Sequence, residues 1–223
     1  MKTNQEYKNA ALAALKGNWA NAVVATIIIV VISTMLSLPS TLLSLALTDV
    51  SVATAIQGLD MVTLNYVSYG LIFLIICPLA VGAASAFKRL LTSGEGNVTS
   101  NMVDDTLSGY WRNVWGMLLM SIFVTLWSLL LVIPGIIKSF SYAMTPYILK
   151  DYPELSANQA INLSRKMMKG HKFDLFWLYL SFIGWLVLSL FTLGIGSFWL
   201  IPYMYTAQAA FYQDVKKEYL SRD

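Results

Sequence analysis

The uncharged stretches of this chain constrain its fold more than any other feature. Residues 17–48 and residues 175–213 contain no Asp, Glu, Lys or Arg, which gives runs of 32 and 39 residues. A helix needs about 20 apolar residues to cross the hydrocarbon of a bilayer, because it rises about 1.5 Å per residue. The first run is therefore long enough for one span, and the second, which the Gly-rich residues 192–197 interrupt, is long enough for two. A cleaved signal has an apolar core of only about 7–15 residues, so we interpret the first run as a retained helix.

The composition favours lipid as the solvent. Of the 223 residues, 57% are hydrophobic and only 12% are charged, whereas a soluble domain has about 25% charged residues. The net charge of +3 is too small to indicate nucleic-acid binding. Because Cys77 is the only cysteine and His171 the only histidine, the chain has no internal disulfide, and we expect neither a metal site nor a cofactor.

The uncharged windows predict an all-α, polytopic membrane helix bundle with about six transmembrane helices. The fourth window has only 14 residues, which reach about 21 Å as a helix. It therefore extends a little further, crosses a thinned bilayer, or is re-entrant, and the sequence does not decide among these. The predicted spans are residues 22–38, 66–87, 114–133, 136–149, 173–191 and 198–212.

The positions of the basic residues predict the orientation of the bundle. With six spans and both termini in the cytoplasm, 14 of the 15 Lys and Arg residues lie inside, and the outer loop 39–65 has none, as the positive-inside rule requires. We therefore predict one integral-membrane domain, residues 1–223, built as three in-out-in hairpins. Residues 1–16 form an interfacial amphipathic helix, and residues 88–113 and 150–172 are cytoplasmic segments.

The three predicted hairpins begin with similar residues. Gly17, Gly109 and Gly170 open them, and Asn or Asp follows four residues later in each case. Glycine lets the chain bend, and Asn and Asp are favoured N-caps. The alternative is that every membrane helix favours a cap at its entry, without any repeat. A second repeated pattern links two returning helices: Pro78, Ala83, Ala86 and Phe87 have the same spacing as Pro202, Ala207, Ala210 and Phe211.

Lys138 is the one basic residue that this topology leaves on the outer side. One interpretation is that its long stem reaches the outer interface while its charge stays hydrated. The other is that Lys138 lines a polar intramembrane site. In that case Tyr142 and Thr145, together with Tyr203 and Thr206 at the matching offset of the last span, supply its polar partners.

The segment between the fourth and fifth spans predicts a short amphipathic helix with a basic end. Ser156 and Gln159 have capping-box spacing, and Gly170 is a typical helix stop. Anionic lipid attracts such a cluster at about 1 kcal/mol per basic residue; the alternative is that these residues serve only as topology signals. The predicted site for a lipid headgroup or a partner consists of Arg165, Lys166, Lys169, His171 and Lys172.

We find no catalytic pattern in the sequence. It has no Gly-rich phosphate loop, no His-Glu metal pair and no Gly-x-Ser-x-Gly elbow, and we interpret Asp104 and Asp105 as part of a turn. We therefore expect no catalytic residues and a non-enzymatic protein that binds membrane lipids or a membrane protein partner. The alternative is a small transporter or exporter component, and a membrane-embedded lipid enzyme ranks last. The oligomeric state is left open.

Three stretches carry a family resemblance: LWSLLLVIPGIIKSFSYAMTPYIL, SANQAINLSRKMMKGHKFDLF and TLGIGSFWLIPYMYTAQAAFY. They resemble the bacterial integral-membrane family catalogued as domain of unknown function 975, most closely over about residues 126–212, and the early GNWANA is similar to it too. More distantly, the chain is similar to membrane domains attached to some glycerophosphodiester phosphodiesterases, whose chemistry resides in a separate barrel domain. The resemblance implies a multi-pass protein of the bacterial cytoplasmic membrane, and it implies no catalytic residues.

Overall fold

The computed structural model describes residues 1–46 and 61–222, and every regular element in these two ranges is an α-helix. The all-α prediction is therefore confirmed. In chain order the helices are α1 (Asn4–Leu15), α2 (Trp19–Ala46), α3 (Met61–Ser93), α4 (Val98–Leu107), α5 (Tyr110–Leu130), α6 (Val132–Tyr142), α7 (Thr145–Asp151), α8 (Ala157–Met167), α9 (Lys172–Leu180), α10 (Ile183–Phe191) and α11 (Ser197–Leu220).

Within the described residues, four helical segments are long and apolar enough to cross a membrane, and they correspond to the first, second, third and fifth predicted spans. The other two predicted spans are not among them, so the count of six is not confirmed. The fourth is divided into α6 and α7, which have 11 and 7 residues. The sixth lies in α11, a helix of 24 residues whose final turns carry several charges. The four segments are Trp19–Ser37, Tyr69–Ser93, Tyr110–Leu130 and Lys172–Phe191.

A short helix, a glycine and an apolar helix follow one another three times. The short helices α1, α4 and α8 end just before Gly17, Gly109 and Gly170, whose φ angles are 84°, 65° and 94°. Glycine adopts this left-handed conformation without the strain that a Cβ atom causes. The apolar helices α2, α5 and α9 begin one or two residues later. The sequence similarity of the three hairpin starts therefore corresponds to a repeated local structure.

The N-cap role predicted for Asn21, Asn113 and Asp174 is wrong, because all three lie within the first turn of their helices. The two asparagines instead bind carbonyl groups on either side of α4. The Asn21 side-chain amide donates to the Gly96 carbonyl at 2.9 Å, and that of Asn113 donates to the Ser108 carbonyl at 3.1 Å. These bonds hold the starts of α2 and α5 against the same short helix.

The helix α4 replaces the turn that we predicted at Asp104 and Asp105, and that prediction is also wrong. Asp105 is buried and accepts a bond of 2.9 Å from the Arg89 guanidinium of α3. The two helices approach so closely that a Cβ atom on Gly82 would lie 2.4 Å from the Met102 carbonyl oxygen. A glycine at this position of α3 therefore allows α4 to pack.

The helices α3 and α11 form the centre of the bundle. α3 packs against α1, α2, α4, α5 and α7, and α11 packs against α1, α2, α3, α8, α9 and α10. Small residues let helix backbones approach closely, which favours packing between apolar helices. The residues of the repeated proline-alanine pattern are buried in both helices: Pro78, Ala83, Ala86, Phe87, Pro202, Ala207, Ala210 and Phe211.

The N-terminal helix α1 packs against α11, and the helix α2 extends into the predicted outer loop. In α1, Tyr7, Ala11 and Leu15 are buried, and α1 packs against α11. α2 continues past Pro39, where we predicted the first span to stop, and ends at Ala46. Helical structure therefore extends into both ends of the predicted loop 39–65, and residues 47–60 lie outside the described part of the chain.

Candidate lipid-headgroup site and a buried ion cluster

The helix α8 lies between other helices with one face buried and its basic residues outward. The Ser156 hydroxyl accepts a bond from the Gln159 backbone N–H, and the Gln159 side chain accepts one from Ser156, so the predicted capping box is present. α8 packs against α5, α6 and α7, so this helix is part of the bundle. Its buried face consists of Ala157, Ala160, Ile161, Ser164 and Met167.

A single serine joins α8 to the break between α6 and α7. The Ser164 hydroxyl donates to the Ser141 carbonyl at 3.0 Å and accepts from the Met144 backbone N–H at 3.2 Å. These bonds satisfy backbone groups that the interrupted helix leaves without partners. Because Arg165 follows Ser164 and Lys138 lies one turn before Ser141, the two basic residues are brought to the same region.

The start of α9 adds Lys172 to this region. α9 packs against α6, and the Phe140 ring lies 6.0 Å from the ring of Phe176, one turn after Lys172. Arg165 and Lys172 are both close enough to Lys138 to act electrostatically on its charge. The six-span topology places Lys138 at the opposite membrane surface from these two residues. The structure brings the three together because α8 enters the bundle beside α6.

The Lys138 ammonium lies over an aromatic ring. Its Nζ atom is 4.2 Å from the Trp127 ring centroid, a cation–π distance. The turn between α5 and α6 sets this contact, since a Cβ atom on Gly135 would lie 2.8 Å from the Ser128 Cα atom. We therefore find Lys138 held by Trp127, a partner that neither interpretation of the sequence named.

Tyr142, Thr145 and Thr206, which also belong to the predicted intramembrane polar site, each have different neighbours. Tyr142 is buried with its ring 6.3 Å from that of Phe123. The Thr206 hydroxyl donates to the Pro202 carbonyl of its own helix at 2.8 Å. The buried Thr145 hydroxyl has no hydrogen-bond partner within residues 1–46 and 61–222.

Tyr203, the last member of that predicted set, lines an apolar cavity. Its ring meets the Phe182 ring edge to face at 5.0 Å. The cavity has a volume of about 420 Å³, and three tryptophans contribute to its wall: Trp19, Trp185 and Trp199. Tyr203 therefore faces apolar surroundings, and within the described residues Lys138 forms no hydrogen bond with any member of the predicted polar set.

His171 belongs to the predicted headgroup site but is turned inward. The residue is buried, with Nδ1 3.3 Å from an Asp174 carboxylate oxygen and Nε2 3.2 Å from a Glu218 carboxylate oxygen. It thereby connects the start of α9 to the end of α11. Both ring nitrogens of His171 already contact carboxylates, so they are not available to bind an external anion.

The basic residues near the short helices fall into two groups. The first group is engaged within the protein, by carboxylates or by backbone carbonyls: Lys88, Arg89, Arg112, Lys150 and Lys216. The second group forms no ion pair with any acidic residue in the described ranges, and we name it the basic surface: Lys138, Arg165, Lys166, Lys169 and Lys172. Arg165, Lys166 and Lys169 are exposed.

Asp151 is the centre of an ion cluster that joins three helices. Its carboxylate contacts the Lys88 ammonium of α3, and its Oδ2 atom lies 2.5 Å from the Lys216 ammonium of α11. Burial alone raises the pKa of Asp151, but the bonds from Lys216, Lys88 and Tyr212 outweigh burial and hold the pKa below its ordinary value. We did not predict this cluster; the available signal was the charged pair Lys150 and Asp151 at the end of the largely apolar residues 136–149.

Comparisons with known proteins identify a family for about half of the chain. Residues 114–219 match the family described as Protein of unknown function (DUF975), and this range contains the whole basic surface and Asp151. The chain matches no curated protein and no solved structure. Among the residues with described positions, no group of three or more His, Cys, Asp or Glu is placed to hold a metal ion. The resemblance to domain of unknown function 975 that the sequence indicated is thus confirmed over residues 114–219, which match the model of that family of proteins of unknown function.

Proposed function

We propose that this protein is a non-enzymatic membrane protein that binds anionic lipid headgroups through the basic surface. One observation carries the proposal: five cations gather around α6, α8 and α9 without acidic partners in the described ranges, while the neighbouring cations are engaged internally. Unpaired Lys and Arg at a membrane surface attract anionic lipid at about 1 kcal/mol per residue. A surface with several of them therefore favours anionic over zwitterionic headgroups.

Exposed aromatic rings beside the basic surface support a position at the headgroup level. Phe173, Phe176 and Trp177 follow Lys172 within the first two turns of α9, and their exposed fractions are 63%, 38% and 47%. Trp177 has an apolar ring and a polar indole N–H, and such a side chain favours the boundary between headgroups and hydrocarbon, while the two phenylalanine rings add apolar surface next to it. The combination of rings and cations matches the layered chemistry of a lipid surface.

The same reasoning supports a location in the cytoplasmic (inner) membrane of a bacterium. The protein is then multi-pass, with both termini and the basic residues 165–172 on the cytoplasmic side, where anionic lipids and the positive-inside rule place cations. The chain returns to that side through α6 and α7, and Lys138 lies in this returning segment. Membrane lipids are the proposed partners. The alternative, transport past Lys138, lacks comparable support, because Tyr142, Tyr203 and Thr206 have separate surroundings.

Native mass spectrometry of the purified protein tests the proposal. We titrate it with phosphatidylglycerol, which is anionic, and phosphatidylcholine, which has no net charge. We expect the wild-type protein to favour phosphatidylglycerol. In the triple variant Lys138→Met, Arg165→Gln and Lys172→Gln, we expect phosphatidylglycerol affinity to fall on the order of 10- to 100-fold, with little change for phosphatidylcholine.

A charge-matched variant provides the control. Lys2→Gln, Lys16→Gln and Lys217→Gln remove the same charge from three exposed lysines outside the basic surface, and we expect phosphatidylglycerol binding to persist. An equal loss in both variants attributes the preference to net charge and contradicts the proposal. Unchanged binding in both variants contradicts it as well.

A further inference from the structure

A second cavity, with a volume of about 360 Å³, lies between α3, α5, α6, α7, α9 and α11. Most of its wall is formed by alanines and other apolar side chains. None of the described side chains that line it is charged. Its hydrogen-bonding groups belong to Ser139, Tyr147, Tyr179, Tyr205 and Gln208.

Tyr147 belongs to the wall of this cavity and carries a buried hydroxyl without a hydrogen-bond partner among the described residues. Tyr147 is 1% exposed, and its hydroxyl has no hydrogen-bond partner within the described ranges. The ring cannot easily turn toward another partner, because it stacks on the Tyr212 ring at 4.8 Å with an angle of 14°, and Tyr212 is bonded to Asp151. A buried hydroxyl without a partner is unfavourable, so a bound molecule that supplies one gains affinity from it.

An apolar pocket adjoins the polar end of the cavity. It has a volume of about 210 Å³ and shares Tyr179, Tyr205 and Gln208 with the cavity, while Ile201 and Met204 add apolar surface. The shared polar groups therefore lie between two spaces. A molecule with a hydrogen-bonding head and an apolar tail can place the head at the tyrosines and the tail in the adjoining pocket.

From this geometry we infer that the cavity binds a neutral amphiphile of the glyceride class. The hydroxyl and ester oxygens of a glyceride are suitable partners for the three phenols and the Gln208 amide. A phosphate or a carboxylate entering the same space meets no cation among the described residues of its wall, and a desolvated charge without a partner is strongly unfavourable. The volume lies in the range of about 300–1,000 Å³ that is usual for small-molecule sites. This site is separate from the basic surface, and the inference does not depend on the anionic lipid binding proposed above.

Monoolein is a practical probe, and its binding to the intact protein in detergent is measured by native mass spectrometry. Tyr147→Phe removes the unpaired hydroxyl and keeps the stacked ring. We expect this variant to bind monoolein about 5- to 10-fold more weakly than the wild-type protein. The control is Tyr142→Phe, which removes the hydroxyl of another buried tyrosine that lines neither space, and we expect its monoolein affinity to be unchanged.

A cavity-filling variant and two further ligands sharpen the test. Ala84→Leu inserts a larger side chain into the cavity wall, and we expect it to abolish monoolein binding in protein that remains folded. We expect oleate, which is charged, to bind more weakly than monoolein, and phosphatidylglycerol binding to be the same in Tyr147→Phe and wild type. Wild-type monoolein affinity in Tyr147→Phe overturns the inference. An equal loss in Tyr142→Phe, or oleate binding as tight as that of monoolein, overturns it too.

Discussion

The Tyr212 hydroxyl donates a hydrogen bond of 2.8 Å to Oδ2 of Asp151, although 61 positions separate the two residues. The same carboxylate contacts Lys88 and Lys216, so one negative charge lies between two positive ones. The Asp151 side chain is only 9% exposed, and those of Lys88 and Lys216 are 14% and 24% exposed. This cluster therefore holds α3, α7 and α11 together in a place where water screens charge poorly.

We expect Asp151→Asn to destabilise the protein by about 3 kcal/mol, because it leaves two partly buried ammonium groups facing each other without a counter-ion. Denaturant unfolding of the purified protein in micelles measures the change. Asp174→Asn is a suitable comparison, since that side chain is 49% exposed and its removal should cost little. Equal stability of Asp151→Asn and wild type contradicts the structural role of the cluster.

The stability difference between wild type and Asp151→Asn should depend on pH. The pKa of Asp151 is lower in the folded protein than its ordinary value, which is about 3.9 in an unfolded chain. Such a carboxyl group contributes its full stability above the unfolded pKa and loses it as the pH falls through the folded pKa. Unfolding curves should therefore show a constant difference from about pH 7 to about pH 5 and a shrinking one below about pH 4. A difference that grows on acidification contradicts this assignment.

A second carboxylate, that of Asp214, accepts hydrogen bonds that hold the N-terminal helix α1 in place. The Tyr7 hydroxyl donates to Oδ2 of Asp214 at 2.6 Å, and the Lys2 backbone N–H donates to the same atom at 2.8 Å. We expect Tyr7→Phe to weaken the docking of α1 by about 1–2 kcal/mol and to speed amide hydrogen exchange within Asn4–Leu15. Asn9→Ala, on the exposed side of α1, should leave exchange unchanged. If both variants exchange at the wild-type rate, the hydrogen bond does not hold α1.

The contact between α3 and α4 should not tolerate a side chain at Gly82. A Cβ atom there would lie 2.2 Å from the Thr106 hydroxyl oxygen and 2.4 Å from the Met102 carbonyl oxygen. We expect Gly82→Ala to reduce the unfolding free energy by about 1–3 kcal/mol, as overpacking usually does. Gly70→Ala is the matched control in the same helix, because a Cβ atom on Gly70 meets no atom of the described residues within 4 Å. A stable Gly82→Ala protein contradicts the close approach of these helices.

The sequence predicts the all-α fold class well, because segments that face lipid must be helical, long and largely uncharged. Four of the predicted spans meet that condition in the structure. It predicts residues 136–149 less well. Pro146 indicates an interrupted helix, but the hydrogen bonds with which Ser164 stabilises the break between α6 and α7 depend on tertiary contact. The helix α4 was missed since its two adjacent aspartates are typical of turns, and the burial of Asp105 against Arg89 depends on tertiary contact.

The candidate sites were predictable only where their residues are close together in the sequence. Arg165, Lys166, Lys169 and Lys172 form a local cluster that composition alone makes visible. The location of Lys138 beside them depends on how α8 enters the bundle. Likewise, the three tyrosines of the second cavity belong to α7, α9 and α11, and no spacing in one helix predicts that they meet.

A cross-linking experiment tests most directly the central claim that Lys138 and Arg165 belong to one basic surface. In a Cys77→Ser background, Lys138→Cys and Arg165→Cys are combined and treated with a short bismaleimide in membranes. We predict an intramolecular cross-link between positions 138 and 165, and none when Lys2→Cys replaces Arg165→Cys. If both cysteines react singly with a monofunctional maleimide but never become cross-linked, Lys138 lies apart from α8 and the account is contradicted.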